Sequence, residues 1–178
     1  QWQNKGLQYR PGDDLHRARV VVNKGVTSKH LQRILRDDPE FMRNRFWSDG
    51  MVRVSGREYN GLLRSPCHER GNLSCMSCHN MHESNAPLTL DDRGWADDQL
   101  KGFAEDNRAC LKCHDDFREP KKLTAHTHHQ ADSQGSQCYN CHMPHTTYGL
   151  LKAIRSHQID SPSVQTSLAT GRPNACNL

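Results

Sequence analysis

Cysteine and histidine recur together three times along the chain in one fixed spacing: Cys75-Met-Ser-Cys78-His79, Cys110-Leu-Lys-Cys113-His114 and Cys138-Tyr-Asn-Cys141-His142. Paired thiols can serve several chemistries. A Cys-x-x-Cys pair is half of a zinc site or a redox-active dithiol, and a cysteine-rich chain can be a disulfide framework. None of these requires a histidine directly after every pair. Covalent attachment of haem c does. The two thiols add across the two porphyrin vinyl groups, and the adjacent imidazole binds the iron as proximal ligand. The spacing therefore reads as three c-type haem sites. Cys75, Cys78, Cys110, Cys113, Cys138 and Cys141 are the tethers, and His79, His114 and His142 are the proximal ligands.

The sixth iron position decides what such a site can do. Twelve histidines less three proximal ones leave nine, against five methionines in all, so bis-histidine ligation is the expectation, and it closes the iron to substrates. His82 lies three residues after His79, and on a helix the two would share a face with Cβ atoms about 5–6 Å apart. It could not then swing round its own porphyrin and would reach a neighbouring iron. His145 stands in the same relation to His142, but Pro144 interrupts any helix between them. One of His126, His128 and His129, just upstream of the third unit, is expected to ligate; in an extended segment His126 and His128 would point to one side. For each of these the plainer reading is a surface or propionate-contacting histidine, and His16, His30 and His68 are read that way.

Composition agrees with a core that is not made of side chains. Only 34% of the 178 residues are hydrophobic and 25% are charged, sparse for a globular core of this length. Three porphyrins would supply the missing apolar bulk. The net charge of +4 is modest and the signs are interspersed, which argues against a nucleic-acid partner or an anionic membrane surface. No apolar run approaches the roughly 20 residues that span a bilayer. The first residues contain no initiator Met, basic n-region or apolar h-region, so a removed signal or an internal piece of a longer chain is expected.

The elements that must position these groups fall into two regions: 1–64, without haem motifs, and 65–178, the multihaem region. In the first, residues 26–41 predict a helix capped by Thr27 or Ser28, with Leu31, Ile34 and Leu35 as its apolar stripe. Residues 51–59 alternate around Ser55-Gly56 and predict a short hairpin or extended ribbon. In the second, helices are expected at about 99–115 and 149–157, a loop or linker at 85–99, and an irregular tail at 160–174. The fold class is mainly α, with much irregular structure, few short strands and a haem core.

Residues 138–162, CYNCHMPHTTYGLLKAIRSHQIDSP, resemble a haem segment of the pentahaem cytochrome c nitrite reductases. The resemblance implies that His157 is a distal ligand. The catalytic haem of those enzymes is marked by Cys-x-x-Cys-Lys, which this chain lacks. The blocks SPCHERGNLSCMSCHNMHES (65–84) and GSQCYNCHMPHTTYG (135–149) are similar to large multihaem c-type cytochromes of the doubled-CxxCH type, and the likeness covers roughly residues 45 to 178. It implies haem attachment outside the cytoplasm, in the periplasm or the cell exterior. In these relatives the segment around Cys176-Asn-Leu continues as Cys-His, so a fourth haem is expected at Cys176 if the chain continues. Cys67 and Cys176 could otherwise form a disulfide.

Electron transfer through closely spaced bis-histidine haems, to redox partner proteins or other haem subunits, is the leading functional expectation. A multihaem oxidoreductase acting on a small nitrogen or sulfur compound at one open haem is the second, with Lys152 and Arg155 as candidate anion attractors. A subunit of an extracellular conductive filament is the third.

Overall fold

The structure is a computed structural model that describes residues 8–10, 12–54, 58–80, 100–101, 106–148 and 152–176. It is mainly helical, built from short helices and irregular segments, with one two-stranded sheet. The predicted helix forms as α2, Lys29–Asp37, after a four-residue helix α1, Leu15–Ala18. Ser28 is the cap: its hydroxyl accepts from the Leu31 amide at 3.0 Å, satisfying one of the donors that a helix start leaves open. Of the stripe, Leu31 is fully buried and Ile34 and Leu35 are half-buried.

After α3, Phe41–Arg45, the chain turns back on itself through Ser48-Asp49-Gly50. Gly50 sits at φ +90°, which a side chain would resist. Phe46 and Val52 then form an antiparallel bridge. The extended segment at Met51–Arg53 thus pairs backward with residues 45–47, and Glu58–Leu63 is helix α4. A hairpin within 51–59 is not formed in its described part, and Ser55-Gly56 lies outside the described residues.

The first half of the chain touches the second at α4 and at the link from it to α5, Pro66–Glu69. Ser65, between them, is completely buried, and its hydroxyl donates to the His157 carbonyl at 2.8 Å and accepts from the Ile159 amide at 2.9 Å. A partly buried ion pair makes a second junction, Arg172 Nε to Asp49 Oδ2 at 2.7 Å.

Three expectations are corrected here. Residues 149–157 are not a helix where they are described: Lys152–Arg155 is strand β2, antiparallel to β1, His145–Tyr148, with His145 opposite Arg155. β-Branched Thr146, Thr147 and Ile154 fit a pleated pair, and the ladder satisfies backbone groups that so short a helix would leave open at both ends. In place of one α-helix over about 99–115, Leu100 bridges His79, and two 3-10 helices cover Asn107–Lys112 and Asp115–Arg118. The tail contains a helix, Val164–Thr170, started by the Ser163 hydroxyl and closed by Gly171 in the left-handed region at φ 73°. Both signals are standard helix ends. Residues 85–99 lie outside the described residues.

Candidate haem-binding site

Each Cys-x-x-Cys-His unit folds as a single tight helical segment. The first is a 3-10 turn at Cys75–Ser77, the second closes the 3-10 helix Asn107–Lys112, and the third is the short α-helix Cys138–His142. In the first two, the leading cysteine's carbonyl accepts from the histidine amide, at 2.9 Å for His79 and 3.0 Å for His114. A turn of this kind keeps the backbone of the two cysteines and the histidine within little more than one helical turn. The first unit does not run on into a helix, because His79 enters the bridge to Leu100. His82 lies outside the described residues.

Two of the three proximal histidines face a second histidine from elsewhere in the sequence. The His79 and His157 ring centres are 6.2 Å apart with planes 21° from parallel, and those of His126 and His142 are 6.1 Å apart at 2°. Separations of this size would leave room for a metal ion between two imidazole nitrogens. Ordinary ring pairs also span about 4.5–7 Å, so the distance alone does not select. The identities do: each pair joins one motif histidine to one remote histidine.

The rings are also held in a way that suits ligation. His142 Nδ1–H donates to the Asp160 carbonyl at 2.9 Å, and His157 Nδ1–H donates to the Arg155 carbonyl at 3.1 Å. Such bonds fix the tautomer and leave Nε2 as the free lone pair. Burial pushes the His157 pKa down, with the Arg155 carbonyl opposing and His79 adding to the depression, so the neutral, ligand-competent form is favoured. His126 packs on the Phe117 ring, centres 4.7 Å apart. The residues present therefore fit two bis-histidine haems.

The remaining candidates are placed as follows. His128 ends the helix Pro120–Thr127 in the left-handed conformation, φ 59°; the stretch is helical rather than extended, so His126 and His128 do not alternate along a strand. The His129 ring lies against Gly135, where any Cβ would meet it at 2.5 Å. His145 begins β1 opposite Arg155, its pKa lowered by burial and then by that charge. His114 is exposed, and among the described residues no imidazole stands opposite it. His68 Nδ1–H donates to the Leu73 carbonyl at 2.7 Å, His30 meets Arg33 at 3.1 Å, and His16 packs near Tyr59.

All eight cysteines are unpaired, so Cys67 and Cys176 do not form the disulfide considered above. As thiols, Cys110 and Cys138 hydrogen-bond to each other. The contact and burial push Cys110 up, while Cys138 is lowered to about 7. Cys67 and Cys78 act electrostatically on Cys110 in the same direction, and Cys176 on Cys141. Among the described residues no three His, Cys, Asp or Glu side chains are gathered as a zinc site would need.

Sequence reasoning missed three residues that hold this arrangement. Asn107 donates to the Ser136 carbonyl and accepts from the Cys138 amide, both at 2.7 Å, tying the second unit to the third. Gly61 lets the 157–158 backbone approach α4, and Ser65 holds it there. No sequence pattern marks contacts between residues so far apart.

Comparison with known proteins gives one family match: residues 65–119 fit the model of the doubled CXXCH motif. No curated protein matches the chain, and no solved structure matches it.

Proposed function

We propose that this chain, a multihaem c-type cytochrome by its doubled CXXCH motif, carries electrons through bis-histidine sites, and that His79 with His157 and His142 with His126 are two axial ligand pairs. The facing imidazole pairs carry the proposal. Bound haem supplies a one-electron ferric/ferrous couple at each site. The protein's part is to occupy both axial positions so that no substrate enters, to orient the imidazoles through carbonyl bonds, and to hold neighbouring units in contact. The second site uses Cys110, Cys113 and His114, with His82 as the candidate opposite ligand, and Cys176 is the candidate tether of a fourth. The chain is read as working outside the cytoplasm with redox protein partners. No helix among the described residues is long and apolar enough to cross a membrane.

One observation favours a second reading. No described imidazole faces His114, so an open second site could take a small nitrogen or sulfur compound. Paramagnetic resonance of the ferric holoprotein tests both. The carrier reading predicts low-spin iron throughout; His157→Ala and His126→Ala would each turn a different single haem high-spin. A high-spin haem in the unaltered protein would support the open-site reading. Fully low-spin spectra in both variants would contradict the ligand pairs.

A further inference from the structure

Arg155 ends β2 with its side chain laid across the third motif. Its guanidinium donates to the carbonyls of Tyr139 at 3.1 Å and Met143 at 3.2 Å, and to Asn140 Oδ1 at 2.8 Å. It also sits 4.3 Å from the centre of the Tyr139 ring. Its own carbonyl accepts from His157. One residue thus touches both the unit around His142 and the histidine that faces His79.

Among the described residues no carboxylate forms an ion pair with Arg155, although Glu58 lines the same cavity. Arg172, the other arginine in this neighbourhood, is matched by Asp49 at 2.7 Å and Asp160 at 3.5 Å. Arg155 is half-buried, and among the described residues its partners are neutral carbonyls, an amide and a ring. The guanidinium fork is already engaged on the third motif. Donation to the last carbonyls of a helix is also an ordinary cap, and the test must separate charge from cap.

We propose that Arg155 is a positioning residue whose fixed positive charge raises the reduction potential of the adjoining haem sites, the third above all. This rests on the haem reading of the preceding subsection. A ferric site carries one more positive charge than a ferrous one, so a nearby cation disfavours the oxidised form. The effect is strengthened where water is excluded.

The experiment is a spectroelectrochemical titration of the holoprotein and of R155M and R155K, with haem counted by pyridine haemochrome in each. R155M removes the charge and the fork; R155K removes the fork and keeps the charge. R155M is expected to keep its haems and low-spin spectrum while one or two potentials fall by at least a tenfold change in the ferric/ferrous ratio, 59 mV for a one-electron couple. R155K is expected to recover most of that fall. Unshifted potentials in haem-loaded R155M, or an equal fall in R155K, would overturn the proposal. Should R155M lose haem, R155Q, which keeps two donors without the charge, is read by the same criteria. A haemless unaltered protein would overturn the haem reading itself, whereas unshifted potentials overturn only the role of Arg155.

Discussion

His157, the proposed partner of His79, is placed by neighbours with no chemistry of their own. Ser65 bonds its carbonyl and the Ile159 amide. Gly61 leaves room for the same backbone: a Cβ there would meet the Gln158 nitrogen at 2.6 Å and the His157 carbonyl carbon at 2.9 Å. Backbone atoms cannot yield as a flexible side chain can, so Gly61→Ala is expected to cost about 1–3 kcal/mol as overpacking and to displace His157. Denaturant unfolding reads the first effect, and growth of a high-spin signal reads the second. Ser65→Ala removes the shared partner of a buried amide and carbonyl, at roughly 1–3 kcal/mol. The motif residues were legible because their spacing is dictated by covalent chemistry. Only the resemblance singled out His157, because its nearness to His79 depends on a fold that brings together residues 78 positions apart in the numbering.

At the scale of elements, the legible parts were those with local causes. Helix α2 follows from its stripe and its serine cap. The tail helix carried equally good end signals in Ser163 and Gly171, and its polar composition hid them. The hairpin β1–β2 was not legible, since residues 149–157 show apolar spacing that suits a helix and only pairing with 145–148 decides otherwise. Pairing also sets the junction between motifs. Asn107 imitates a strand edge, donating to a backbone group 29 positions on and accepting from another 31 positions on. Asn107→Ala leaves the Ser136 carbonyl and the Cys138 amide without that partner and is expected to cost about 1–3 kcal/mol. Asn107→Asp keeps the acceptor and loses the donor, and should cost less. Thermal unfolding of the two variants, followed in the haem absorption, checks the order.

At the scale of the whole molecule, few apolar side chains are fully buried among the described residues. Among the described residues the buried hydrophobic ones are Leu31, Phe46, Met51, Leu62 and Leu123, and they lie mostly in the region before the motifs. The half that carries the motifs contributes Leu123 alone to that set. Its other junctions are polar: the Arg172 ion pairs, the Ser65 hydroxyl and the Asn107 amide. Side-chain burial at about 25 cal/mol per Å2 cannot stabilise so thin a core against chain entropy. Covalently attached haem would add apolar bulk to a chain of which 34% is hydrophobic. The most direct test is the intact mass, under denaturing conditions, of residues 1–178 made in cells that attach haem c. The account predicts the polypeptide plus three haems that survive denaturation. A bare polypeptide, or one that carries zinc before denaturation and no haem after it, would contradict it.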